Sequence, residues 1–168
     1  MAISMYRASV PLFVQVLNSL SAIIDKAEAH CEARKIDPAV LIGYRLAPDM
    51  YPLSRQLQIV SDMTRGAAAR LAGTEPPSWP DTETTFAELK ARLAKTLDFV
   101  QGFRPDQIDG SDERQVTIQG GGNTFTFTGE SYLIHFVIPN VLFHAATFYD
   151  ILRHAGLELG KRDFIGQV

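Results

Sequence analysis

Gly129-Glu-Ser-Tyr-Leu-Ile-His-Phe-Val-Ile-Pro-Asn-Val-Leu-Phe-His-Ala-Ala-Thr-Phe-Tyr-Asp-Ile-Leu-Arg-His154, closed by Gly156, is the stretch on which the reading of this chain turns. Leu133, Val137, Val141, Phe148 and Leu152 recur at three- and four-residue spacing, which puts one apolar stripe on one side of a long helix. Gly156 stands where a helix of this kind is capped. Pro139 interrupts the stretch. It removes one backbone donor and predicts a kink, at a cost of ~3 kcal/mol if nothing compensates. Asn140 and His144, four residues apart, lie on or beside the buried face, so both can address the same spot in a core.

Three further helical stripes precede it. Val10, Phe13, Leu17, Leu20, Ile24, Ala27 and Cys31 define helix 1, with Pro11 expected in its first turn and a start near Ser9. Helix 2 opens at Pro52 and carries Leu53, Leu57, Val60, Met63, Ala67 and Leu71 up to Gly73. Helix 3 follows a proline-rich loop, 73–80; Thr85-Phe-Ala-Glu88 has the form of a capping box, and Phe86, Leu89, Leu93, Leu97 and Val100 keep the period until Gly102. Asp37-Pro38 caps a short connector helix that stops before Pro48. After a polar loop, Val116–Gln119 and Thr124–Thr128 alternate with period two about Gly120-Gly-Gly-Asn123, a short hairpin that must lean on the helices because a lone hairpin is marginal. The fold class is therefore all-α: an antiparallel four-helix bundle with a connector helix and a small β-hairpin before the last helix, in a single domain spanning residues 1–168. The tail 159–166 reads as a structured turn.

Composition narrows the function classes. Sixteen Lys and Arg against nineteen Asp and Glu give a net charge of -3 with no basic block, so nucleic acid is not expected as a partner. No uninterrupted run reaches the ~20 apolar residues of a spanning helix and no signal peptide is recognisable, so neither membrane nor export is expected. The single cysteine, Cys31, reads as a half-buried filler and fits a reduced, cytoplasmic compartment.

In a four-helix bundle, sites are built from side chains projecting inward from facing helices. Gln56, one turn from Leu53 and Val60, joins Asn140 and His144 as the polar groups that share the apolar stripes. Asp49 either caps helix 2 or lines the mouth of the bundle. The blander reading is that these groups satisfy one another, or a backbone carbonyl freed by Pro139. His135, His154 and His30 lie on other faces or at helix ends. There is no Cys-x-x-Cys and no His-Glu-x-x-His. The triple glycine lacks the Lys-Ser/Thr of a phosphate-binding loop. Arg45 with Asp49 and Asp62 with Arg65 read as surface ion pairs.

Arg45-Leu-Ala-Pro-Asp-Met-Tyr-Pro-Leu53 with Gln56, Phe143-His-Ala-Ala-Thr-Phe-Tyr-Asp-Ile-Leu-Arg-His-Ala-Gly156 and Leu159-Gly-Lys-Arg-Asp-Phe-Ile-Gly166 together resemble the DinB/YfiT-like superfamily, and within it a DUF1993-like bacterial family without assigned activity. The resemblance spans almost the whole chain. It implies a metal site of one His on helix 2 and His-x-x-x-His on the last helix in the metal-bearing members. His144 matches the second of that pair, while Asn140 replaces the first and Gln56 stands for the helix 2 ligand. No metal or other cofactor is expected on these residues, and a homodimer is implied. The expected function is a metal-free pocket for a small polar ligand formed by Gln56, Asn140 and His144, with Asp49 at its mouth. The alternatives are a structural or interaction homodimer using the hairpin with Tyr132 and Phe125, and a metal-dependent enzyme with a degenerate site that recruits Asp49 or Asp62.

Overall fold

The computed structural model describes residues 3–166. Its long elements are α1 (Met5–Arg34), α3 (Leu53–Leu71), α4 (Phe86–Gln101) and a last helix composed of α6 (Gly129–Ser131), a π segment (Tyr132–Val137) and α7 (Ile138–His154). Short helices fill the joints: α2 (Pro38–Ile42), α5 (Pro105–Ile108) and α8 (Lys161–Ile165). α3 packs most extensively against α7 and α4, and α1 against α4, so the four long elements close an antiparallel bundle around one apolar core. Phe13, Leu20, Leu57, Leu89, Phe148 and Leu152 are among its fully buried side chains.

The sequence signals mark most joints. Thr85 and Glu88 form the reciprocal capping box at the start of α4. Asp37 accepts from the Ala39 N–H and Pro38 occupies the first turn of α2. At the end of α7, Gly156 takes φ +98°; the Leu157 N–H reaches the Leu152 carbonyl at 3.1 Å and the Gly156 N–H the Arg153 carbonyl at 3.2 Å, the paired bonds of a Schellman cap. β1 (Gln115–Gly120) and β2 (Asn123–Thr128) pair antiparallel from Gln115↔Thr128 to Gly120↔Asn123. Gly121 and Gly122 both adopt positive φ, as a two-residue turn of the type I′ family requires. The hairpin leans on the bundle through buried Val116 and through Phe127, whose ring lies 6.0 Å from Tyr132 and 5.5 Å from Phe136.

Four expectations are corrected. α1 starts at Met5, with the Ser4 hydroxyl accepting from the Arg7 N–H, so Pro11 is inside the helix instead of in its first turn. It is tolerated there because it lies on the exposed side, where the carbonyl it leaves unpaired can meet water. The polar loop after α4 contains the one-turn helix α5. Cys31 is fully buried, and burial pushes its thiol pKa up, with the charges of Asp37 and Glu28 adding to the effect. Finally, in each of two helices, Met5–Arg34 and Gly129–His154, one 18-residue window is long and apolar enough by composition to span a bilayer, with mean hydropathies of 1.4 and 1.3, and 50% and 39% of these windows is buried in the bundle. The apolar stripes of both helices are the faces that build the bundle core.

Pro139 also behaves differently from the simple kink. The preceding turn is widened into the π segment, and the Ile138 N–H bonds five residues back to Leu133. Pro139 then falls in the first turn of α7, at the point where the bonding register changes. The widened turn thus compensates for the donor that proline lacks.

Candidate functional site

Gln56 and His144 meet across the α3–α7 contact. His144 Nδ1 lies 2.6 Å from Gln56 Oε1, and Gln56 Nε2 donates to the Tyr51 carbonyl at 3.0 Å. Since a backbone carbonyl can only accept, the amide nitrogen of Gln56 must face Tyr51 and its oxygen must face the imidazole. His144 therefore carries its proton on Nδ1, leaving the Nε2 lone pair free. Nε2 has no partner among the described residues and is not sealed from solvent. Burial pulls the His144 pKa below the ordinary value, and the positive charge of Arg55 pulls in the same direction, so the ring is held neutral. The ring of Phe143 stands edge-on to it at 5.1 Å.

The remaining residues singled out by sequence go elsewhere. Asn140 Nδ2 donates to the Phe136 carbonyl at 2.6 Å, one turn back in its own helix, so it secures the junction between the π segment and α7. Asp49 sits exposed in the turn before α3. It does not cap that helix, whose N-cap is Pro52, and the loop is pinned by Leu53 N–H to the Tyr44 carbonyl and Arg45 Nη1 to the Met50 carbonyl. Arg45 and Asp49 form no ion pair among those found in the described residues. Tyr132 is buried to 1% exposure and offers no free apolar surface, whereas Phe125 is 44% exposed. His154 stacks on Tyr44 at 6.1 Å between ring centroids.

The donor set around His144 does not fit a divalent cation. Its Nδ1 and the Gln56 oxygen are committed to one another, the Asn140 amide is turned to a carbonyl, and no group of three His, Cys, Asp or Glu side chains converges among the described residues. Neutral amides contribute no charge to a zinc or nickel site.

Sequence reasoning missed a second polar centre. Arg92 of α4, with a side chain 2% exposed, binds Asp62 at 2.7 Å, Asp81 at 2.9 Å and Glu83 at 2.9 Å, and also donates to Ser61 Oγ and the Pro80 carbonyl. Ser61 Oγ in turn pairs with Thr96 Oγ1 at 2.8 Å. Burial alone would lower the Arg92 pKa, but its hydrogen bond to Glu83 and the charge of Asp62 carry it above the ordinary value. Asp62 also holds Arg65, so that pair is part of a half-buried network and is no plain surface bridge. Asp81 further binds Arg55, which links this network to the surroundings of His144. The carboxylates come from α3 and from the proline-rich loop, 9 to 30 residues from Arg92, a separation that leaves no local motif.

The depressed pKa of His144 gives a stability signature. Above the ordinary imidazole range, folded and unfolded chains both carry a neutral ring and the contribution is fully present. As pH falls through that range the unfolded chain takes up the proton first, and stability is lost until the folded ring also titrates. Between pH ~7.5 and ~5.5, above most carboxylate titration, the wild type is expected to lose more stability than His144→Gln in parallel denaturant titrations. Superimposable pH profiles would show that the ring is not held neutral.

No curated protein matches this chain. Among solved structures, the crystal structure of a DinB family member protein from Shewanella denitrificans at 1.83 Å resolution superposes with a TM-score of 0.88 at 39% identity, covering 97% of this chain and 92% of that one. Residues 5–165 match the family described as Domain of unknown function (DUF1993). The bundle, the hairpin before the last helix and these two likenesses agree, and the chain belongs to the DUF1993 family, with a DinB-like fold.

Proposed function

We propose that this protein binds a small polar molecule at the Gln56–His144 pair without a metal. The supporting observation is the fixed tautomer: a neutral imidazole held by a buried amide presents an unprotonated, reachable Nε2, which suits a ligand that donates a hydrogen bond, such as an alcohol, amide or amine. Asp49, exposed in the turn preceding α3, is a candidate for the rim of the site, while the Asn140 amide stays bonded to the Phe136 carbonyl. A thermal-shift panel of such donors on wild type and His144→Leu tests the reading. A ligand at one hundred times its Kd stabilises by about 2.7 kcal/mol, which in a chain of this size raises Tm by roughly 5–11 °C, and only the wild type should respond. Unchanged melting across the panel, with His144→Leu melting higher than wild type, would mean that the pair only fills the core.

A second reading, a homodimer whose role is interaction, is favoured by the apolar side chains that α7 and its π segment leave exposed: Phe143 at 58%, Ile134 at 41% and Leu142 at 37%. Light scattering of wild type and Phe143→Ser at micromolar concentration decides it, with a dimer expected only for the wild type. A degenerate metal-dependent enzyme is the third reading, supported only by His144 at a ligand position; stoichiometric metal in untagged protein would be needed to sustain it. A cytoplasmic setting is part of the proposal, supported by the lone buried thiol, and cell fractionation tests it.

A further inference from the structure

A cavity of about 370 Å³ lies between α3, the hairpin and the π segment, and His144 is not among its lining residues. Its walls are unusual in combining aromatic rings with two under-neutralised cations. Phe125 and Phe136 supply the apolar side, and the buried Tyr132 backs Phe136 with its ring stacked at 5.9 Å. Arg65 and Arg70 supply the charge.

Arg65 is only 7% exposed, yet its Nε and Nη1 are buried with no hydrogen-bond acceptor among the described residues. Buried donors are seldom left so. Its one carboxylate, Asp62, faces the same cavity and is shared with Arg92. The indole of Trp79 covers Arg65 at 4.2 Å and holds the guanidinium in place. Arg70 makes no ion pair found among the described residues and donates instead to the Tyr132 hydroxyl at 3.1 Å. Gly66 makes room for it: a Cβ there would stand 2.5 Å from Arg70 Nη1. With Arg65 and Arg70 against the single carboxylate of Asp62 in its lining, the cavity is net positive, and guanidinium forks match a planar carboxylate. The volume is at the small end of ligand sites.

We propose that this cavity binds a small organic carboxylate with an apolar or aromatic body, the carboxylate held by Arg65 and Arg70 and the body lying against Phe136 and Phe125. The two cations select the anion, and the rings reject anions without an apolar part. This site is independent of the Gln56–His144 reading.

Trp79 is the chain's only tryptophan and touches Arg65, so its emission reports on the site. Titration of the full chain with phenylacetate is expected to give a saturable change in Trp79 fluorescence, unaltered by His144→Leu. Phenylacetamide and inorganic phosphate should each bind about tenfold more weakly or worse. Arg70→Gln should weaken phenylacetate by a similar factor. So should Gly66→Ala, which displaces the Arg70 guanidinium while retaining the wild-type Tm, and it decides the matter if Arg70→Gln fails to fold. No saturable response, equal affinity for the amide or phosphate, or wild-type affinity in Gly66→Ala would overturn the proposal.

Discussion

Replacing Arg92 with methionine is expected to destabilise the protein by about 3–5 kcal/mol and to lower Tm by roughly 6–20 °C. Methionine fills most of the volume, so the loss is electrostatic. Asp62, Asp81 and Glu83 would be left facing one another beside the half-buried Arg65, with Ser61 Oγ and the Pro80 carbonyl deprived of their donor. The net worth of the intact cluster is smaller than this figure, because gathering three carboxylates about a buried guanidinium carries its own desolvation cost. Removing the one cation exposes that cost without its compensation. Denaturant unfolding should show a lower midpoint at unchanged slope. A loss below about 1 kcal/mol would mean that the loop carrying Asp81 and Glu83 swings into water and that the cluster does not clamp it to the bundle.

That cluster also shows where sequence reading stops. Helix periodicity sees apolar residues, and Arg92, between Leu89 and Leu93 on the helix surface, carries no mark that distinguishes it from a solvated charge. Its burial depends on the proline-rich loop folding back over α4 and bringing Asp81 and Glu83 with it. Local signals fared better. The Thr85 capping box, the Asp37-Pro38 start, the glycine turn and the Gly156 cap are each complete within a few residues, and each appears where the residues place it. Asn140 lies between these cases. Its four-residue spacing from His144 is correct for a regular helix, but its amide donates to the carbonyl of Phe136, within the widened segment one turn back. A single change of hydrogen-bond register leaves no trace in the period, although Pro139 was the signal that something in that turn had to give. Gln56 was the inward-facing amide that did reach His144, because α3 is regular from its first turn.

Gly129 is where the hairpin joins the last helix, and Gly129→Ala is expected to cost about 2–3 kcal/mol although alanine is the better helix former. Thr128 caps the helix through the Ser131 N–H, and the Glu130 N–H bonds to the Asp112 carbonyl at 2.9 Å, which draws the 111–114 turn against the first residue of the helix. A methyl group on Gly129 would overlap the Ser111 carbonyl oxygen and touch Leu71 at 3.4 Å. The obstacle is backbone, and Ser111 is itself completely buried, so neither side can step aside without breaking the Glu130–Asp112 bond. Gly66→Ala provides the contrast. It too adds a methyl inside a helix, but what it meets is the tip of the flexible Arg70 side chain, and the gain in helix propensity of roughly 1 kcal/mol offsets the displacement. The two variants are thus expected to differ although the chemical change is the same. Gly129→Ala should melt earlier and lose hydrogen-exchange protection at the Glu130 amide and along β2, while Gly66→Ala keeps both. Equal, small effects at the two positions would show that the 111–114 turn yields freely and that the hairpin is not anchored at this joint.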